Sequence, residues 1–410
     1  MSDTQAPESR YRLEEVVWQP GLDSFGPRRA RTPVRIQAYV PAKLSTQQWR
    51  FSSEVTAALG DAQAAITSAQ QHAEHIGLNT VAQQLLRSES MASSQMEGLV
   101  VPSHRSLAKA EIGKQHKETA RAALANIAAV KWAYAWALDS AQPFSPDAIK
   151  AIHERIAAAD RWLAAHAGRF RKRQNWIGSD SYSPVGADFI PPPAAYVQEL
   201  IDDLCAFLNR VDLPPVAQAA IAHVQFETIH PFPDGNGRVG RALIGTSLSR
   251  SGICRDVVPP ISLVLSGRKD DYIAALTAFR DGGDDAWLLL LAESAEHAAH
   301  ASIQLADQIA ELQQRWRAQA GHPRADSAAE HIIQLLPAEP VLNIERAAEL
   351  LKRSPEATRQ ALNRLDQAGV VQLTTLSKRN RAWESIGVFA LVDEMERSLS
   401  GGARGGAATQ

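Results

Sequence analysis

Apolar residues recur along most of this chain at three- and four-residue spacings, the period of an amphipathic helix. Alanine-rich stretches of this kind run from Thr46 to about Arg87 and cover Ala120–Ala137, Pro146–Ala165 and Asp284–Ala318. They predict a mainly α protein, with Gly60 and Gly77 as breaks in the first stretch. The first 48 residues depart from the pattern: prolines, glycines and aromatics around an extended patch at Val34–Val40 predict an irregular arm with a strand. The helical period fails again between Gly168 and Pro193. There Arg171–Ile177 and Ala187–Ile190 look extended across a Gly/Ser/Asp/Pro connection, which predicts a β-hairpin. Pro191–Pro193 stop its second strand, and a helix follows near Tyr196–Leu208. Pro214 and Pro215 open another helix to about Ile229, proline being well placed in a first turn, and a further one runs from about Arg238 to Ser249.

Gly321-His322-Pro323 closes the long helical stretch and reads as a domain boundary. Beyond it, Asn343 caps a helix whose Ile344, Ala347, Ala348 and Leu351 share a face. Ser354-Pro355 opens the next, with Ala357, Ala361, Leu362 and Leu365 inward and Thr358, Arg359, Gln360 and Asn363 outward. Strands at Val370–Leu376 and Arg381–Ile386 then flank Ser377-Lys378-Arg379-Asn380, the order of a helix-turn-helix with a wing. Residues 400–410, rich in Gly and Ala, read as a disordered tail.

Composition narrows the picture. The 410 residues suffice for two or three domains, and 45% hydrophobic content excludes wholesale disorder. Lys and Arg number 43 against 45 Asp and Glu, a net of -2, which excludes a global polycation. Cys205 and Cys254 are too few for a disulfide framework or a structural zinc site. No apolar run approaches the roughly 18 residues that a membrane span needs, and the N-terminus lacks the basic and apolar parts of a signal peptide. The expectation is a cytoplasmic protein without a membrane partner.

The chemistry concentrates in His230-Pro231-Phe232-Pro233-Asp234-Gly235-Asn236-Gly237-Arg238-Val239-Gly240-Arg241. A Gly-x-Gly turn entering a helix presents bare N–H groups at the positive end of the helix dipole, a ready site for phosphate. Arg238 and Arg241, three apart, can grip further phosphate oxygens. Asp234 offers a hard oxygen ligand for Mg²⁺, His230 a base within reach of an incoming nucleophile, and Asn236 a neutral donor for developing charge. Phe232 reads as an apolar plug that fixes the loop. His223, Glu227 and His230 share a helix face, which suits either a metal cluster or support for the loop. By composition, a chance match to the pattern His-x-Phe-x-(Asp/Glu)-Gly-Asn-Gly-Arg-x-x-Arg has a probability on the order of 10⁻⁸.

On these residues the chain resembles the Fic family. The resemblance implies a Fic-fold helical core with a β-hairpin flap, His230 as catalytic base and Asp234 as the Mg²⁺ ligand. It also implies that Gly235, Asn236 and Gly237 hold the α and β phosphates of ATP, and that Arg238 and Arg241 hold β and γ. The usual family reaction transfers AMP from ATP to a Ser, Thr or Tyr hydroxyl of a protein. A kinase-like branch replaces the second glycine; here Gly237 is intact. Upstream, Ser93-Ser94-Gln95-Met96-Glu97-Gly98 resembles the family's inhibitory helix, (Ser/Thr)-x-x-x-Glu-(Gly/Asn), with Met96 where isoleucine is more usual. In that reading Ser93 and Glu97 are inhibitory, the Glu97 carboxylate taking the Arg241 fork that the γ-phosphate needs.

Residues 169–190 fit the family's flap, which pairs with an extended target by strand addition, and the basic run Arg169, Arg171, Lys172 and Arg173 could steer an acidic target or nucleotide. The module at 326–399 resembles the winged helix that follows many bacterial Fic cores. Its charge count over 322–398, ten basic against eleven acidic residues, is poor for DNA affinity although basic residues cluster on the candidate face.

The expected layout is an arm at 1–48, a helical region with the inhibitory helix at 49–110, a Fic core at 111–320, a winged-helix domain at 326–399 and a tail at 400–410. The expected activity is an auto-inhibited protein adenylyltransferase with Mg²⁺ as cofactor, open to AMP removal, to homodimers and to DNA. The competing reading is a nucleotide-sensing, DNA-binding transcriptional regulator.

Overall fold

The structure is a computed structural model that describes residues 10–20, 28–76, 79–113, 118–139, 141–158, 160, 163–179, 182–377 and 380–401. Among these the chain is mainly α, with fifteen α-helices and five short strands. It opens with β1 (Tyr11–Trp18) and β2 (Val34–Pro41), paired antiparallel from Tyr11 opposite Pro41 to Trp18 opposite Val34. This is a two-stranded sheet where an irregular arm with one strand was expected. Ile36, Ala38 and Val40 of β2 turn inward, which marked that strand, whereas β1 leaves Leu13 and Val17 exposed and carries no clean alternation.

Next come α1 (Ser53–Ile76), α2 (Asn79–Met96), α3 (His104–Ile112), α4 (Glu118–Asp139) and α5 (Pro146–Ala157). Gly60 does not break α1: a Cβ there would meet nothing within 4 Å, so it sits on an open face where glycine only weakens the helix. Gly77 lies outside the described residues. Then follow α6 (Val197–Leu208), α7 (Pro215–Ile229), α8 (Asn236–Arg250), α9 (Ile261–Gly267), α10 (Lys269–Arg280) and α11 (Asp284–Gln319). The last part comprises α12 (Ala328–Leu335), β3 (Val341–Leu342), α13 (Ile344–Leu351), α14 (Pro355–Gln367), β4 (Val371–Ser377), β5 (Asn380–Ser385) and α15 (Val388–Gly401).

The chain divides into two compact units, each assembled from separated stretches of sequence. The first comprises residues 1–59, 139–247 and 271–290. Its centre is α7, buried at every position from Val216 to Ile229, so the helix is enclosed all round and shows no amphipathic face. Gln218 Nε2 ties α7 to the carbonyls of Phe207 and Arg210 (both 2.9 Å), and Trp287 Nε1 donates to Ala220 O at 2.8 Å.

Among the described residues the predicted hairpin is reduced to one antiparallel bridge, Ile177 with Phe189. Pro191–Pro193 have no N–H to offer a ladder. Arg171, Gln174 and Asn175 instead spend their side chains on backbone carbonyls, those of Pro191 and Pro192 among them.

The second unit comprises residues 60–138, 248–270 and 291–410. One apolar core joins Leu85 of α2 and Leu305, Ile309 and Trp316 of α11 to Ile332, Leu362, Trp383 and Val392 of the C-terminal elements. The helix α11 ends just before Gly321-His322-Pro323. The C-terminal sheet has three strands in the order β3-β5-β4. The two-residue β3, too short for a sequence pattern, pairs Val341 with Glu384 and Leu342 with Trp383.

On α14, Arg359, Gln360 and Asn363 are exposed as expected, but Thr358 is buried. Its hydroxyl bonds back to Ser354 O at 3.0 Å, so a polar residue faces inward without penalty. Lys378, Arg379 and residues 402–410 lie outside the described residues, while α15 itself reaches Gly401. No helix among the described residues is long and apolar enough to cross a membrane.

Candidate active site

The site is built in the first unit where α7 ends and α8 begins. His230 takes the left-handed conformation, φ 49° and ψ 59°, with its N–H still donating to Phe226 O at 2.9 Å. A non-glycine residue holds that conformation only where its surroundings over-determine it. Here Arg171 does so. Its Nε donates to His230 O (2.9 Å), its Nη2 to Ile229 O (3.2 Å) and Pro192 O (2.5 Å), and its backbone N–H to Pro231 O (2.8 Å). Asn175 Nδ2 adds contacts to the carbonyls of His230 (3.4 Å) and Phe232 (3.2 Å).

One guanidinium therefore caps the carbonyl end of α7, where positive charge is favoured. This corrects the expectation that Arg171 steers an acidic target: it is 5% exposed, and burial lowers its pKa to about 10, which leaves it charged at neutral pH. Lys172 and Arg173 are exposed.

Phe232 is fully buried, as its apolar character predicted. Its ring lies flat on His153 of α5, with centroids 3.9 Å apart and planes 5° apart. His153 Nε2 donates to Asp234 O at 3.1 Å, and its Nδ1 accepts the Gly168 N–H at 3.0 Å. Burial holds this imidazole neutral by lowering its pKa to about 4. Beyond Asp234, Gly235 has φ 79°, a turn that a side chain resists.

Asn236 turns out to close the loop. Its Oδ1 accepts the Phe232 N–H (2.8 Å) and its Nδ2 donates to Phe232 O (2.9 Å), with the side chain 2% exposed. One of the two Nδ2 N–H donors is thereby used inside the loop.

Asp234 is exposed, with Oδ1 accepting the Gly235 N–H at 2.6 Å. It is a single carboxylate, and no cluster of three or more metal-binding side chains exists among the described residues. That chemistry suits an ion whose other ligands are phosphate oxygens and water, as Mg²⁺ prefers. Arg238 and Arg241 are 6% and 2% exposed on the first turns of α8, with Arg238 Nη2 3.9 Å from Asp160 Oδ2. Buried guanidinium groups beside a helix N-terminus concentrate positive potential at the loop.

His223 supports the loop and belongs to no metal cluster: fully buried, it meets Tyr272 Oη through Nε2 at 2.8 Å, and burial lowers its pKa to about 3. Glu227 Oε2 lies 3.9 Å from His230 Nδ1. Gly240 lets α8 approach α7 here; a Cβ would overlap Glu227 Oε1 and press on Phe226 Cδ1 at 3.1 Å. Arg280 also lies close, donating to Thr228 Oγ1 (3.1 Å) with its guanidinium 3.9 Å from the Phe189 ring centroid. His153, Asn175 and Arg280 were not singled out from sequence, since they sit tens of residues from the loop and carry no local pattern.

Ser93 is buried near the end of α2 in the second unit, and the exposed Glu97 follows the helix directly. Gly98, at φ 74°, closes the turn by donating to Gln95 O at 2.9 Å. Asn126 Nδ2 pins this end through Ser90 O (3.0 Å) and Ser94 Oγ (3.1 Å), and Lys269 Nζ reaches Met96 O at 3.1 Å.

Residues 143–248 match the model of the Fic/DOC family. The chain is 34% identical over 132 residues to protein adenylyltransferase fic-1 of Caenorhabditis elegans, covering 31% of this chain and 23% of that protein. It is 39% identical over 98 residues to a probable protein adenylyltransferase of Aquifex aeolicus, covering 24% and 28%. These matches span about a quarter of the length of the relatives concerned. A Fic family protein from Desulfovibrio desulfuricans G20 shares the fold with a TM-score of 0.52 at 19% identity, over 83% of this chain and 98% of that one.

Proposed function

With a Fic/DOC-family domain at residues 143–248 as premise, we propose that the protein is a protein adenylyltransferase that moves AMP from ATP to a target hydroxyl. The observation that supports this most is the loop at 230–241, where a candidate base, a carboxylate, a glycine turn at a helix N-terminus and two buried arginines share one short stretch. The backbone N–H groups at the start of α8 receive the α and β phosphates, and Arg238 and Arg241 neutralise β and γ. Asp234 would hold Mg²⁺, which when bound supplies charge neutralisation to the phosphates.

His230 takes the proton of the target hydroxyl, whose oxygen bonds to the α-phosphorus. The bond from that phosphorus to the α–β bridging oxygen breaks in line, and pyrophosphate carries the electron pair away. Positioning and charge neutralisation supply the acceleration, as phosphoryl-transfer chemistry requires. Arg171, Asn175 and His153 hold His230 and Asp234 in place. Ser93 and Glu97 restrain the reaction, a reading supported by their fit to the inhibitory pattern, and Glu97 could also align water for AMP removal.

The second reading, a nucleotide-sensing regulator on DNA, is favoured by exposed Arg359, Gln360 and Asn363 on α14, which would serve as the recognition helix of a winged-helix module. One experiment separates the two. Wild type, Glu97→Gly and Glu97→Gly/His230→Ala are incubated with Mg²⁺ and either α- or γ-labelled ATP. Protein label from the α position alone, strongest in Glu97→Gly and absent from the double variant, is expected. Label from γ would move the protein to a kinase-like reaction. ATP binding with no label, together with salt-sensitive retention of a DNA fragment, would favour the regulator.

A further inference from the structure

The backbone of His230 is fixed by Arg171 and Asn175, but its ring has a neighbour of its own. Nδ1 is closed off from solvent and lies 3.9 Å from Oε2 of Glu227, one helical turn back on α7. The side chain as a whole is still 19% exposed, which leaves Nε2 as the ring nitrogen that an incoming hydroxyl can meet. At 3.9 Å the contact is too long for a hydrogen bond but close for Coulomb attraction. The Glu227 side chain is only 9% exposed, so salt and water screen the pair weakly.

Burial alone would push a carboxylate towards its neutral form, and a nearby cation reverses that tendency. Arg280 of α10 supplies the cation. Two contacts fix its guanidinium, the 3.1 Å bond to Thr228 Oγ1 and the face of Phe189 at 3.9 Å. Burial lowers the Arg280 pKa, and the charge of Glu227 opposes that shift. Each charge therefore supports the other beside the base. Gly240 makes room for this arrangement, because the Glu227 carboxylate fills the space that a side chain at 240 would take.

A negative charge facing Nδ1 stabilises the imidazolium that forms when Nε2 takes a proton, as the carboxylate of a Ser-His-Asp arrangement does. We propose that Glu227, kept ionised by Arg280, is a positioning residue that turns Nε2 of His230 towards the target hydroxyl and raises its basicity. This rests on the reading of His230 as the base of AMP transfer. The other charged groups of the elements that meet here are Asp234, Arg238 and Arg241 of the loop and α8, and Arg171, whose Nε bonds to His230 O.

The test changes Glu227 alone. Glu227→Gln keeps the size of the side chain and removes its charge, while Glu227→Asp keeps the charge. AMP transfer onto the chain itself is followed with α-labelled ATP in the Glu97→Gly background, from about pH 5.5 to 8.5. His230 must be neutral to accept a proton, so the rate falls on the acid side. Without the Glu227 charge the imidazolium is less favoured. The acid limb should therefore move down by about one pH unit, while the plateau rate falls about tenfold and KM for ATP is unchanged. Glu227→Asp should keep the limb nearer its wild-type position. Damage to the fold would lower the rate at every pH and leave the limb where it was.

Carbon-13 titration of the His230 ring reads the same shift without turnover, again about one unit down in Glu227→Gln. A limb that stays in place, or a ring that titrates as in wild type, would overturn the proposal. Absence of label from the Glu97→Gly protein would instead remove the adenylyltransferase reading, and the ring titration would still decide whether Glu227 governs His230.

Discussion

Lowering the pH should loosen the floor of the site through His153, by an amount that follows from its surroundings. The imidazole is wholly buried, donates from Nε2 to Asp234 O and accepts the Gly168 N–H at Nδ1. A proton can enter only at Nδ1, where it would break the bond from Gly168 and bring a charge into a dry contact with Phe232. Hence the folded site holds a pKa of about 4 against the ordinary 6.5.

The sign follows from linkage. Above 6.5 the ring is neutral in both folded and unfolded chains, and the contribution is complete. As pH falls through that value, the unfolded chain binds a proton that the folded site refuses. Stability is lost until about 4, below which both states are protonated. The whole interval corresponds to roughly 3 kcal/mol. Urea unfolding of wild type and His153→Phe at a series of pH values from 7.5 to 4 measures it. Phenylalanine retains an aromatic contact with Phe232 but cannot titrate, so the variant should be less stable at pH 7 and flatter by roughly 3 kcal/mol across the interval. Carbon-13 titration of the histidine rings reads the same quantity directly. A His153 signal that titrates near 6.5, or equal pH slopes for both proteins, would refute the reasoning.

Three further substitutions test the loop's supports. Arg171→Met leaves the carbonyls of Ile229, His230 and Pro192 without their cap, and should cost about 3 kcal/mol and abolish transfer; a wild-type melting curve would rule out the capping role. Asn236→Ala removes both bonds that close the loop on Phe232 and should cost about 2–3 kcal/mol in chemical denaturation, an unchanged midpoint arguing against loop closure. Gly240→Ala drives a Cβ into Glu227 and should cost about 1–3 kcal/mol while slowing AMP transfer more than it weakens ATP binding; equal losses in both would mean that Glu227 has no part in placing His230.

What was legible in the sequence is what the chain settles over short distances. The ends of α7 and α8 were readable because proline can open a helix and because a Gly-Asn-Gly turn permits few backbone paths. The loop's pattern was readable because its residues from Asp234 to Arg241 are adjacent in the chain. The failures share the opposite character. Arg171 reads as one more exposed cation in a basic run until the carbonyl end of α7 is placed against it. Thr358 counts as an outward polar residue until its hydroxyl finds Ser354 O, and the two arms of the hairpin look like strands until their side chains are drawn to other backbone. In each case a partner distant in sequence, or a side chain bonding to main chain, decided between two acceptable local states.

The same distinction explains why a short motif can carry so much of the chemistry while saying little about what holds it. Phosphate recognition needs N–H groups from consecutive residues, so its determinants must be contiguous. Holding a left-handed His230 rigid needs bonds from outside the turn, so its determinants must come from elsewhere. Here they come from Arg171 and Asn175 in the segment after Gly168, while His153 of α5 holds the neighbouring Asp234. A variant of Arg171 or His153 should therefore damage transfer as surely as one of Arg238, with nothing in the loop's sequence to warn of it.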